Sequence, residues 1–199
     1  MSRLTPLLLD RLEPEQRALL ETIIGGKRGD GRDLEGYLDA QGAMRGPFNA
    51  LLHRPDLGHT LQRIGEQLRF EGRLSAACRE IAILVVAAHF RARYEWWAHA
   101  RFARGEGLPE SVIDALAAGT DPVLDKDDER AVYVYAAEMM KSGRVSDRTH
   151  QLAATLLGEA VLVELVVLLG YYSTISLLLN GFEVAPPPGQ STPFDDAHK

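Results

Sequence analysis

Cysteine is almost missing: Cys78 is the one thiol in 199 residues. That excludes an intramolecular disulfide, a CxxC redox pair and a zinc–thiolate site. Basic runs are missing too. Lys+Arg 22 against Asp+Glu 28 leaves a formal charge of −6, and an acidic chain without a basic cluster has little to offer a phosphate backbone, so no nucleic-acid partner is expected. Alternation at period 2 is absent over any useful length, which excludes half-buried strands. The start, MSRLTPLLLDRLEPEQ, has a short apolar part followed at once by acidic residues, and no small-residue cleavage site. It does not read as a signal peptide, and a cytoplasmic location is the expectation.

What is present is helix. Hydrophobic residues at 46% with 25% charged suit a soluble globular chain with a real core. Pro14 opens a helix that Gly25–Gly26 stop, and FNALLHRPDLGHTLQRIGEQLRFEG gives two pieces around Arg54–Pro55. Ser75 starts a helix whose residues 81–88 are apolar without a break. The polar junction FRARY at 90–94 leads to a second helix through Arg104, and three further segments repeat the loop-to-helix pattern. Residues 27–47 carry five glycines and read as a long irregular connection. The apolar stretch Leu152–Leu179 holds Glu159 and Glu164, which would be costly in lipid; it reads as a buried helix pair or one long core helix, with no membrane partner. Residues 184–199, VAPPPGQSTPFDDAHK, should form a loose Pro-rich tail. The expectation is an all-α chain: one helical domain over 1–183 with an N-terminal extension over 1–40, then the tail.

One constellation carries chemistry. Glu95 and His99 stand at i and i+4, one turn apart on one helix face. If FRARY is a tight turn between antiparallel helices, Glu80, fifteen residues earlier, can meet them. A carboxylate fixes a histidine's tautomer and raises its basicity. A second carboxylate in the same dry pocket would make a proton donor and acceptor poised near neutral pH. Trp96 and Trp97 flank the pair and could exclude water. The plain alternatives are a surface Glu–His contact of little worth and a helix-start Glu80. Cys78 reads as a small core residue. HRPDLGH lacks further ligands, so no metal is expected. The glycines around the RGD tripeptide at 28–30 lack a GK[ST] and are no phosphate loop. DKDDER at 125–130 is a helix start and no calcium loop.

The stretch REIAILVVAAHFRARYEWWAHARFARGEGLPESVIDAL resembles the carboxymuconolactone decarboxylase / alkylhydroperoxidase-D-like superfamily. GPFNALLHRP at 46–55 and LVELVVLLGYYSTISLLLNGF resemble its longer members, and the likeness covers most of residues 40–183. It implies an orthogonal, antiparallel helical bundle of the alkylhydroperoxidase-D-like type, assembled as a homodimer, trimer or hexamer. The peroxidase branch places two cysteines twelve and fifteen residues after its glutamate and a histidine nineteen after it. Counted from Glu80 these positions are Ala92, Glu95 and His99. A peroxiredoxin-type label could follow from the family, but a thiol peroxidase needs a nucleophile and a resolving thiol, and neither position supplies one.

The decarboxylase branch fits the residues better. It implies a cofactor-free lyase in which Glu80, Glu95 and His99 relay a proton to a small lactone or another metabolite of aromatic-compound catabolism. Arg45, Arg91 or Arg93 could meet a substrate carboxylate, with nothing in the spacing to select among them. Phe48, Trp96, Tyr133, Tyr171 and Tyr172 could line an apolar pocket, each as readily serving the core. The competing readings are a non-catalytic small-molecule-binding or scaffold protein, and a residual oxidoreductase using Cys78.

Overall fold

The computed structural model describes residues 2–27 and 37–195. The RGD tripeptide and the central part of the glycine-rich connection lie outside them. The described residues are helical, with two isolated β-bridges, Leu8 to Ala43 and Leu38 to Met44, as extended pairings. The all-α expectation holds.

The chain divides into two compact units, residues 1–72 with 178–189, and residues 73–177 with 190–199. The first is built on α1 (Pro14–Gly25), α2 (Pro47–Leu52) and α3 (Pro55–Phe70). All three begin with a proline, whose fixed φ and missing N–H suit a first turn. Glu13 and Gln16 close a capping box at the head of α1. Leu19, Leu20 and Ile23 of α1 meet Leu51, Leu52, Met44 and Tyr37 in one apolar cluster. Gly58 lets the helices approach: a Cβ there would collide with the Leu19 side chain and stand 2.8 Å from the Leu51 carbonyl oxygen.

The second unit is organised around α4 (Ala76–His89), whose residues Ile81, Ala82, Ile83, Leu84, Val86 and Ala87 are fully buried. It packs against α5 (Arg93–Gly105), α6 (Glu110–Ala118) and α7 (Asp127–Ser142), and α7 packs against α8 (Asp147–Leu157). The start of α4 is fixed twice. The Ser75 hydroxyl accepts the Cys78 N–H at 3.2 Å, and the Glu164 carboxylate accepts the N–H groups of Arg73 and Leu74. The apolar stretch at 152–179 breaks at Gly158 into α8 and α9 (Glu159–Gly181).

By length and composition α9 could cross a membrane. One face buries Leu162, Leu165, Leu168, Leu169 and Tyr172, while Val163, Val166, Val167 and Leu177 are exposed. The sequence reads this stretch as core helix that is apolar on too much of its circumference for a small monomer, and these exposed side chains are that excess. Continuous apolarity marks every face alike and cannot tell which one the chain itself covers.

The helix pair expected around FRARY is present. α4 ends with Ala92 N–H bonding the Ala87 carbonyl at 2.8 Å and Arg91 N–H bonding that of Ala88 at 3.0 Å, a Schellman closure with Arg91 at φ 50°. The left-handed conformation costs a non-glycine residue about 1–2 kcal/mol. Part of that is offset by the Arg91 guanidinium lying over the Phe194 ring, 5.4 Å from its centroid. Phe194 belongs to the tail that was expected to be loose. Its ring is 2% exposed and meets Trp96 edge-on at 5.2 Å. Asp195 accepts from Arg93 Nε at 2.8 Å, and Gln190 accepts from Trp97 Nε1 at 3.1 Å. Residues 190–195 thus form a strap across the first turn of α5.

Candidate active site

The close of the α4–α5 hairpin brings Glu80, Glu95 and His99 together. Glu80 comes from the first half of α4; Glu95 and His99 share one face of α5. His99 Nδ1 donates to Glu80 Oε2 at 2.6 Å, and Glu95 Oε1 stands 3.1 Å from His99 Nε2. The imidazole therefore lies between two carboxylates, one on each nitrogen. All three residues are buried, with exposures of 1%, 4% and 5% for Glu80, Glu95 and His99. The rings packed edge-on against the imidazole are Phe102, at 5.6 Å, and Tyr172 of α9, at 5.1 Å.

Burial alone drives such an imidazole toward its neutral form. Glu80, and after it Glu95, overrule that and raise His99 to about 9. The reading from sequence placed this group near neutrality. With a carboxylate on both nitrogens it rests protonated at pH 7, so the imidazole is a proton donor and the acceptor role falls to a carboxylate. A charged histidine between two ionised carboxylates would still leave the trio at −1. Arg79, given no role in the sequence reading beyond its place next to Glu80, stands beside them: its Nε is 3.6 Å from Glu80 Oε1 and its side chain is 13% exposed. An arginine preceding a buried glutamate at a helix start was the available signal.

The other expected site residues are distributed as follows. Arg45 and Phe48 belong to the first unit, where the Arg45 N–H bonds the Tyr37 carbonyl at 2.8 Å and Phe48 meets the Tyr37 ring edge-on. Trp96 packs on Phe194. Tyr133 gives its hydroxyl hydrogen to Asp121 at 2.8 Å. Tyr171 meets Tyr172 edge-on at 5.1 Å and so reaches His99 through that ring. Arg91 and Arg93 are engaged by the strap. In the HRPDLGH segment, His53 Nε2 stands 3.0 Å from the Thr5 carbonyl, and Asp56 pairs with Arg54 at 2.8 Å.

Cys78 is buried on α4, with Sγ 3.7 Å from Asp128 Oδ2. Burial first, then Asp128 and Glu129, push the thiol up to about 11 despite the hydrogen bond from Ser75. A thiol so held stays protonated and is a poor nucleophile at neutral pH.

Comparison with known proteins bears on the fold that holds this site. The chain superposes on an uncharacterised peroxidase-related protein with an alkylhydroperoxidase AhpD core from Ralstonia eutropha JMP134, with a TM-score of 0.72 at 17% identity over 94% of this chain and 93% of that one. An uncharacterised peroxidase-related protein from Silicibacter sp. TM1040 gives a TM-score of 0.68 at 15% identity over 95% of each chain. The debrominase Bmp8 gives 0.67 at 10% identity over 93% and 91%. At these identities the likeness is one of fold. No protein of curated function matches. Residues 55–138, which hold α3 to most of α7 and all three site residues, match the model of the Carboxymuconolactone decarboxylase family, and the fold around them is the one seen in the AhpD-like structures.

Proposed function

We propose that this chain is a carboxymuconolactone decarboxylase-like lyase that works without a cofactor on a small carboxylated lactone or a related metabolite of aromatic-ring breakdown. The observation that carries the reading is His99 closed between two buried carboxylates, which raise it to about 9, with Ala92 and Glu95 where a thiol peroxidase would need sulfur.

Loss of CO₂ from such a substrate breaks the C–CO₂⁻ bond and sends its electron pair into the conjugated lactone carbonyl. The resulting enolate needs a positive group while charge develops and one proton to finish. The imidazolium supplies both. Its Nδ1 is tied to Glu80 by the shorter contact, so the proton on Nε2, beside Glu95 at 3.1 Å, is the one to deliver. The neutral imidazole regains a proton from solvent by way of Glu95. Net, one proton is taken up for each CO₂ released. Bmp8, a debrominase of the same fold whose C82A variant was seen with 2,3,4-tribromopyrrole, is a fold neighbour associated with a small ring.

The test is CO₂ release from 4-carboxymuconolactone and related lactone acids. His99→Ala and Glu95→Gln should each lose about 100-fold or more in kcat, the usual worth of a positioned acid. Full activity in both variants sinks the relay, and tight binding without turnover by the unmodified protein favours the scaffold reading. Self-association belongs to the same proposal. The exposed residues Val163, Val166, Val167 and Leu177 recur at helical spacing, and a second copy would cover them. A particle of 21.9 kDa at all concentrations in light scattering would refute it.

A further inference from the structure

Two features of the site are unexplained by the relay. One is the charge balance: Glu80, His99 and Glu95 together carry −1 when the histidine is protonated, and all three are buried. The other is Arg79. Its Nε is buried with no hydrogen-bond partner, yet a buried guanidinium N–H left without one is costly. It stands 3.6 Å from Glu80 Oε1, while His99 holds Glu80 Oε2. The two cations thus approach different oxygens of one carboxylate.

We propose that Arg79 is the positioning residue of this site: its guanidinium keeps Glu80 charged and turned so that only Oε2 meets the imidazole. This rests on reading the Glu80–His99–Glu95 cluster as the proton-handling centre. With Arg79 counted, the four side chains sum to zero, and the cluster can stay dry without recruiting another proton. Without Arg79 the cluster is a buried anion. With the guanidinium gone the cluster holds its protons more tightly and Glu80 can turn either oxygen to the ring, so Nδ1–H is no longer fixed as the bound end. The mobile proton would then no longer be confined to the Nε2–Glu95 side.

The neighbouring elements leave this assignment intact. α5 contributes Glu95 and His99. α6 buries Val112, Ile113 and Leu116 and brings no buried charge. α7 brings Asp128, which contacts Cys78, and Glu129, which pairs with Lys126 at 2.7 Å. α9 brings Tyr172. Among the described residues, Arg79 is the cation paired with this carboxylate cluster.

The test is an NMR titration of the His99 ring nitrogens and the Glu80 carboxyl carbon in the unmodified protein, Arg79→Gln and Arg79→Lys. Removing a positive charge at this range raises neighbouring groups by about one unit. Both titrations should therefore move up in Arg79→Gln and return most of the way in Arg79→Lys. A purely packing role predicts no such shift and no rescue by lysine, and shifts under about 0.3 units, a small fraction of that effect, would overturn the proposal. Should Arg79→Gln fail to fold, the double variant Arg79→Gln/Glu80→Gln decides. Recovered folding supports charge compensation, and continued failure overturns it. The outcomes separate the two readings. A His99 that is neutral at pH 7 in the unmodified protein sinks the proton-donor function itself, whereas a protonated His99 indifferent to Arg79 sinks only this inference.

Discussion

Cys78 on α4 and His99 on α5 have surroundings of much the same kind. Each is buried, and each has a carboxylate within reach: Asp128 at 3.7 Å from the thiol and Glu80 at 2.6 Å from the imidazole. In both the carboxylate raises the affinity for a proton. The chemical results are opposite. A protonated thiol is neutral and idle, whereas a protonated imidazole is a cation and an acid. Burial separates them further, because it favours the neutral form of both: it reinforces the carboxylate at the thiol and opposes it at the histidine. A nearby negative charge therefore does not make a site reactive by itself. The charge of the protonated form decides.

The largest effect expected from breaking this contrast is at His99. His99→Ala removes the cation and leaves two buried carboxylates facing each other, which should cost about 3–5 kcal/mol at pH 7 and less near pH 4, where the carboxylates can be protonated. Chemical denaturation at the two pH values measures this. The same residue sets a pH window. Its folded value of about 9 lies above the ordinary 6.5, so its stabilisation, of the order of 3 kcal/mol, is complete below pH 6.5 and is lost as pH climbs through 9. The thiol, raised from 9.0 to about 11, acts in a later window, where folding weakens further between pH 9 and 11; Cys78→Val should remove that share of the decline and leave the share of Tyr133, raised from 10.0 to about 12 by burial and Asp121. A stability curve flat from pH 6 to 9 would contradict the histidine assignment.

The smallest effect sharpens the comparison from the other side. Asp128→Asn removes one of the groups raising the thiol but leaves its burial, the larger cause. Ultraviolet titration of the thiolate should move down by about half a unit, a fraction of what a full charge contributes, with the His99 titration unchanged. An equal shift at both sites would mean that the two share one electrostatic environment.

Sequence spacing made the heart of the site readable because its geometry is local. Glu95 and His99 are joined by one helical turn, and Glu80 by a three-residue turn between two adjacent helices. The start of α4 and the end of α6 rest on residues whose chemistry is visible in the chain, Ser75 and Gly119, whereas the Arg91 turn between α4 and α5 carries no such mark. What remained hidden depends on distant partners. Phe102 and Tyr172 close on the imidazole, where Trp96 or Trp97 had been expected; Trp96 packs elsewhere. That position is settled by Phe194, ninety-eight residues away in the chain and part of a segment whose Pro-rich composition suggested a loose tail. Arg91 and Arg93 read as candidate substrate cations until the strap is seen to engage them. Arg79 was overlooked because a helix-start arginine is ordinarily solvated, and only the fold shows it beside a buried glutamate.

The strap has a consequence for how the molecule is made. Arg93 and Asp195 are 102 positions apart, so the α4–α5 hairpin leaves the ribosome long before the segment that steadies its left-handed Arg91 turn. The hairpin can form early from local contacts. Its corner acquires Phe194 and Asp195 only after 102 further residues have been made, so the entrance to α5 matures later than the hairpin it belongs to.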